Sequence, residues 1–341
     1  MSPSKDIKDR IDDYVDTIYA IVGFINFYRY DDQTKSMSDD VIVFQGRRFT
    51  PSVEKRETQE GNIIEFVTPD FGVFHKPGRN VLGEAKKSFP RERELWMEDL
   101  KQLLSYDDDL TGWPCEGERV DGHDVVLLAH QSRVPAICDF YQEQERAGEI
   151  RFVRPFSVFS FNRSDERQPY LHFEKRFGNL SDAILGERLR LGVSVPMQVL
   201  VNEYSTVKFY DAMPPLPYLA SVIWEHVVVP RASDNPKFRM LSRKQKIEIN
   251  LSINDLVKEL SEGFSFHSLC PDHPERQPMV PTKDWCRRAC ESMVSAGMAR
   301  WNDIGTRENI TILFTKLDNV LDHMAEVCKE DDKSERQLSL F

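Results

Sequence analysis

No run of about 18 apolar residues occurs anywhere in the 341-residue chain, so no membrane-spanning helix is expected. The opening residues, MSPSKDIKDRIDDY, are charged and lack the apolar centre of a secretory leader. Cysteine is sparse, with 6 in the chain and no paired CxxC spacing. A disulfide framework is therefore not expected, and a cytoplasmic protein with free thiols is. Positive charge is also short: 45 Lys and Arg stand against 56 Asp and Glu, a net charge of −11. Such a chain lacks the strong positive field that coats nucleic acid without specificity. A local basic groove would still suffice for a DNA-acting protein. There is no Walker-type phosphate loop, so any nucleotide-driven motor would have to be a partner.

What is present describes a globular protein. Hydrophobic residues make up 40% and charged residues 30% of the chain, and the length suggests about two domains at ~150 residues each. Residues 5–28 carry Ile7, Ile11, Tyr14, Ile18, Ile21 and Ile25 at helical spacing, one apolar stripe for packing on a core. Residues 31–40 read as a polar loop and 41–44 as a short strand. HDVVLLAH (123–130) reads as a buried strand, 135–147 as a helix stopped by Gly148, and 150–161 as another strand. Farther on, YLHFEKRFG reads as a strand. SDAILGERLRLG reads as a helix with Ser181 as its N-cap and Gly192 after its end. VPMQVLVNEY and YLASVIWEHVVV fit either helix or strand, with the rigid DAMPPLP between them.

The chemistry concentrates in VTPDFGVFHKPGRNVLGEAKKSFPRERELWMEDLKQLLSY, residues 67–106. Residues two apart on a strand share a face. Glu84 and Lys86 therefore point the same way, and Ala85 the other. Residues 62–74 are expected to form the preceding strand, with Asp70 on it. The turn His75-Lys-Pro-Gly-Arg79 then brings Asp70 beside Glu84. Two carboxylates so placed repel unless a cation lies between them. Hard oxygen ligands of this kind suit Mg²⁺ or Mn²⁺, and a neighbouring ammonium can position or help deprotonate an attacking water. Residues 92–109 are expected to be the following helix, carrying Gln102 and, four positions later, Tyr106.

This pattern resembles the PD-(D/E)xK nuclease superfamily. Pro69-Asp70 stands for the PD, Glu84-Ala85-Lys86 for the ExK, and Gln102 with Tyr106 for the QxxxY element of its RecB-like branch. The resemblance implies an α/β restriction-endonuclease-like core over residues 1–161. It also implies Asp70, Glu84, Lys86 and Gln102 as catalytic, Asp70 and Glu84 as Mg²⁺ (or Mn²⁺) ligands, and Tyr106 in support. The superfamily often adds an acid before the first core strand. Glu54, Glu57 and Glu60 are candidates, with Glu57 preferred.

Cations that could contact DNA phosphates are Arg47, Arg48 and Lys87 near this core, then Lys237, Arg239, Arg243 and Lys244 in the basic stretch 231–246. The same residues also fit ordinary solvated faces. Residues 162–250 read as a middle elaboration. Residues 251–328 turn helical, with Ser252 and Thr282 as caps and Gly297 as a stop, and end in two strands and a helix. Helices followed by a hairpin resemble a winged-helix module, which would put Arg287 and Arg288 on its recognition helix. Within it, His267, Cys270, His273, Cys286 and Cys290 could supply four zinc ligands. Cys286 and Cys290 fit equally well as small buried residues.

The polar leash KEDDKSER leads to Gln337-Leu338-Ser339-Leu340-Phe341. This pentapeptide looks like the bacterial sliding-clamp binding motif. A flexible leash presents Gln337 for a polar contact, with Leu338, Leu340 and Phe341 filling an apolar groove. A peptide of this size binds at about micromolar strength, roughly −8 kcal/mol, and gains from a second DNA contact. Together these readings suggest a cytoplasmic, metal-dependent DNA nuclease recruited to the clamp in repair, replication processing or defence. The alternatives are a non-catalytic clamp adaptor that only binds DNA, and a restriction-type endonuclease. Monomer and homo-oligomer are both compatible with the sequence.

Overall fold

The computed structural model describes the chain except residues 1–2, 32–35, 38–40, 52–65, 76–79, 87–94, 115–121, 165–168, 205–207, 211, 237, 239–244, 265–280, 304, 316–319 and 327–341. It is a mixed α/β protein of two compact units. One takes the described residues of 15–211. The other takes those of 1–14, 212–265 and 279–341.

The first unit is built on one seven-stranded mixed sheet. Its strands β3 (Val41–Gln45), β4 (Phe71–His75), β5 (Asn80–Lys86), β6 (His123–His130), β7 (Phe156–Ser164), β8 (Tyr170–Gly178) and β9 (Val193–Pro196) lie side by side in chain order. The small strands β1 (Tyr30–Asp31) and β2 (Ser36–Met37) pair separately, within a segment expected to be a loop. β5, β6 and β7 run parallel, and the outer pairs are antiparallel. Parallel neighbours need crossovers. Helices α2 (Leu95–Leu104) and α3 (Val134–Ala147) lie in the two crossovers.

Because β6 is covered on both faces, its sequence is a nearly unbroken apolar run rather than an alternating one. On one face, Leu82, Val125, Leu127, Ala129 and Val158 pack with Leu100 and Leu103 of α2 and with Ile137 and Phe140 of α3. On the other, Phe24 of helix α1 (Pro3–Arg29) meets Phe71 at 5.5 Å and Phe159 at 5.1 Å between ring centroids.

Several boundaries differ from the sequence expectation for identifiable reasons. Ordered ladder pairing in β7 begins at Phe156, not at residue 150. The Asp107 carboxylate accepts the N–H groups of Val153 and Arg154, each at 2.7 Å, and Pro155 has no N–H to offer. Helix α2 is described from Leu95 and ends at Leu104, so Tyr106 sits in the turn after it. Ser181 does not cap α4 (Ala183–Leu191). Asp182 accepts the Leu185 N–H at 3.0 Å, while Ser181 is held by Asp124. Gly148 and Gly192 follow α3 and α4 with φ of 77° and 83°, as the stops require. VPMQVLVNEY is both things at once, strand β9 and then helix α5 (Met197–Tyr204).

The second unit holds a three-stranded antiparallel sheet in the order β10 (Ile247–Ser252), β12 (Asn309–Phe314), β11 (Ala299–Trp301). Helices α8 (Ile253–Phe264) and α9 (Lys283–Ser295) separate β10 from the hairpin. Ser252 Oγ accepts the Asp255 N–H at 3.0 Å, and Thr282 Oγ1 the Trp285 N–H at 3.1 Å, so both expected caps form. YLASVIWEHVVV is helical. It runs from α6 (Leu216–Ile223) through a π-helical turn (Trp224–Val228) into α7 (Val229–Ser233), and Trp224 stacks on Phe314 at 5.4 Å.

Candidate active site

The site lies at the carboxyl end of β5. Phe71 pairs with Gly83 in the antiparallel ladder, so the step outward places Asp70 opposite Glu84. Asp70 is not itself in a strand. It occupies the bend just before β4, a correction to the expected long strand. Its Oδ2 accepts the Ala85 N–H at 2.9 Å. That bond ties the two halves of the motif together and leaves Glu84 and Lys86 on the face of α2. The approach is close because Gly83 carries no side chain. A Cβ there would lie 2.2 Å from the Phe71 ring.

Helix α2 completes the constellation. Gln102 donates from Nε2 to Glu84 Oε1 at 3.0 Å, and to the Tyr106 hydroxyl at 3.2 Å. The Tyr106 hydroxyl also contacts Glu84 Oε1 directly, and lies 3.2 Å from the Thr68 carbonyl. The Lys86 ammonium sits 3.6 Å from Glu84 Oε2 and 3.4 Å from Asp99 Oδ1. All five side chains singled out in the sequence, Asp70, Glu84, Lys86, Gln102 and Tyr106, thus meet within one network.

Its electrostatics follow from burial. Asp70 and Glu84 are 5% and 2% exposed. Desolvation raises both carboxyls above the usual range, and for Glu84 the Asp70 charge raises it further. For Lys86 burial works downward, but Glu84, then Asp70 and Asp99, outweigh it and hold the ammonium at about 12. With both carboxylates beside it and no cation between them, the Lys86 ammonium is charged at neutral pH and donates hydrogen bonds. Burial, then Glu84, pushes the Tyr106 phenol well up, so it stays protonated.

The donor set fits a hard divalent cation. Two adjacent buried carboxylates destabilise each other, and a cation between them would relieve both desolvation and repulsion. Asp70 and Glu84 are the residues that would hold it. Among the described residues no group of three or more His, Cys, Asp or Glu side chains gathers for an ion.

The other expected residues fall elsewhere. Arg47 is fully buried, with its Nε donating to the Gly112 carbonyl. A guanidinium so enclosed is not placed to meet a phosphate, which corrects that expectation. Arg48 lies 5.6 Å from the centroid of the Phe66 ring. Arg287 pairs with Glu308, and the exposed Arg288 reaches Met213 Sδ at 3.1 Å. Cys286 and Cys290 are fully buried on the core side of α9, and burial holds both thiols up, Cys286 at about 12. Glu57, Lys87, Lys237, Arg239, Arg243, Lys244, His267, Cys270, His273 and Gln337 to Phe341 lie outside the described residues.

Two further residues bear on this network and were not among the expected site residues. Asp99 precedes Gln102 by three positions and Tyr106 by seven, so helical spacing could have found it. His123 places Nε2 2.6 Å from the Tyr106 carbonyl; nothing local in the sequence signals that contact. Comparison with known protein families, with characterised proteins and with solved structures finds no match.

Proposed function

We propose that this protein is a Mg²⁺- or Mn²⁺-dependent DNA nuclease, recruited to a bacterial sliding clamp through Gln337 to Phe341. The observation that carries the nuclease reading is the convergence of Asp70 from the bend before β4, Glu84 and Lys86 from β5, Gln102 from α2 and Tyr106 from the turn after it. In this reading Asp70 and Glu84 hold the cation. When bound, it supplies Lewis acidity at the phosphate and lowers the pKa of an attacking water. Gln102 and Tyr106 fix one oxygen of Glu84, so the carboxylate presents the other in a single orientation. Lys86 donates a hydrogen bond to the water or phosphate and stabilises the negative charge that develops as the water oxygen adds, its proton passing to solvent, and the P–O bond breaks, the leaving oxygen taking a proton from solvent. The clamp-recruitment part rests on the pentapeptide sequence alone.

The test is cleavage of labelled single-stranded, duplex and flap DNA with Mg²⁺, Mn²⁺ or EDTA, with and without clamp. Wild type should cut only with metal, and Glu84→Ala and Lys86→Ala should not cut. A protein that cuts nothing under any condition, yet binds DNA and clamp, would be an adaptor. Equal recovery of the clamp by wild type and by Leu340→Ala/Phe341→Ala would remove the recruitment reading.

A further inference from the structure

The Lys86 ammonium has two carboxylate neighbours, and only one belongs to the expected motif. Glu84 Oε2 lies at 3.6 Å and Asp99 Oδ1 slightly closer, at 3.4 Å. Asp99 is carried by α2, the helix that also supplies Gln102. One side of this helix therefore grips both functional residues of β5: Gln102 takes an oxygen of Glu84, and Asp99 takes the nitrogen of Lys86. The two anchors are not equivalent. Glu84 is 2% exposed at its side chain and already serves Gln102 and Tyr106, whereas Asp99 is 21% exposed at the edge of the network.

From this geometry we infer that Asp99 is a positioning residue for the proposed nuclease, holding the Lys86 ammonium at the substrate edge of the site. The inference rests on the nuclease reading and adds to it. A lysine on a four-carbon stem has many rotamers, and an ammonium held by Glu84 alone would lie against a residue proposed to bind the cation. A second anchor on another element restricts it to one position while leaving a proton free for water or phosphate. In this role Asp99 contacts the Lys86 ammonium and is not asked to meet substrate or cation. It acts through Lys86.

The experiment uses the full-length chain and the variants Asp99→Asn, Lys86→Met and the double substitution. Asparagine keeps the shape of Asp99 and removes its charge. In the cleavage assay Asp99→Asn should lower kcat by about 10- to 100-fold and change KM by less than about twofold, because the lost function is orientation and not binding. The second readout is thermal unfolding without added metal. The melting-temperature changes of the single variants should fail to add in the double variant by about 2 °C, reporting the contact directly. Unchanged kcat in Asp99→Asn, with wild type active, would overturn the positioning role. So would additive melting shifts. Wild type inactive on every substrate would instead sink the nuclease reading, and the positioning role with it.

Discussion

Tyr106, two residues past the end of α2, hydrogen-bonds through its hydroxyl to Glu84 Oε1 across 22 positions of chain. Gln102 donates to both partners. Tyr106 is 1% exposed, so water cannot replace its hydroxyl. Tyr106→Phe should leave Glu84 with Gln102 as its remaining side-chain donor here and take from Gln102 Nε2 its second acceptor. Loss of a buried hydrogen bond to a charged group costs about 1–3 kcal/mol, which for a unit of this size is about 2–12 °C in melting temperature. Cleavage should fall as well, because Glu84 is no longer held in one orientation. Calorimetry of the metal-free protein checks the first effect. An unchanged melting temperature would show that the hydroxyl does not stabilise Glu84.

Asp70 and Glu84 make the opposite case, a pair whose charges oppose each other. Desolvation raises both carboxyls, so the folded protein holds them at a cost. Asp70→Asn keeps an oxygen to accept the Ala85 N–H and gives Glu84 a donor in place of a like charge. Without metal the variant should be about 1 kcal/mol more stable than wild type. It should also lose most of the melting-temperature rise that millimolar Mg²⁺ or Mn²⁺ gives wild type. A ligand at 100 times its Kd adds about 2.7 kcal/mol to the state that binds it. An equal metal-induced rise in both proteins would place the cation elsewhere.

The legible parts of this fold are those written in local pattern. The run HDVVLLAH coincides with β6, residue for residue, because a strand covered on both faces needs apolar residues throughout and polar ones only at its ends. Strand alternation likewise puts Glu84 and Lys86 on one face of β5, whereas Gln102 and Tyr106 were picked out by their resemblance to a QxxxY element, and Tyr106 lies past the end of the helix expected to carry it. What could not be read depends on partners far away in sequence. Arg47 is in the interior because the Gly112 carbonyl, 65 positions on, accepts its Nε–H. The late start of β7 depends on Asp107, which lies 46 positions before Val153. The capping exchange between Ser181 and Asp182 depends on Asp124, 57 positions before Ser181.

Gly83 links the core to the site. The Phe71 ring lies flat enough against it that an added Cβ would fall 2.2, 2.7 and 2.8 Å from three ring carbons. Phe71 is fully buried and packs on Phe24, so it has no free space to swing into. Gly83→Ala should therefore cost at least the ~1–3 kcal/mol typical of overpacking. It should also shift Glu84, the next residue, and reduce cleavage more than stability alone explains. Phe71→Leu in the same chain should return part of both losses. If Gly83→Ala melts with wild type, the ring does not hold the strand as described.

His123 gives a pH dependence of definite sign. It is 5% exposed, beside the Trp113 ring at 5.3 Å, with Nε2 at the Tyr106 carbonyl. Burial lowers its pKa from the ordinary 6.5 to about 4, the carbonyl bond works upward, and Arg154 lowers it while Asp109 and Asp108 raise it. At neutral pH the ring is therefore uncharged and must donate from Nε2 to the carbonyl. Between pH 6.5 and 4 the unfolded chain takes up a proton that the folded chain refuses, so stability falls as pH falls through that window. The gap between the two values amounts to about 3 kcal/mol. Asp70 and Glu84 work the other way, since raised carboxyls bind protons more readily in the folded state and favour it as pH falls. Comparing wild type with His123→Gln removes that background, because both proteins carry the same carboxylates. Glutamine can still donate to the Tyr106 carbonyl but does not titrate. The stability advantage of wild type over the variant should shrink by about 3 kcal/mol between pH 7 and pH 4. Urea titrations at pH 7, 5.5 and 4 measure it, and a difference that stays constant with pH would mean that His123 is not buried neutral.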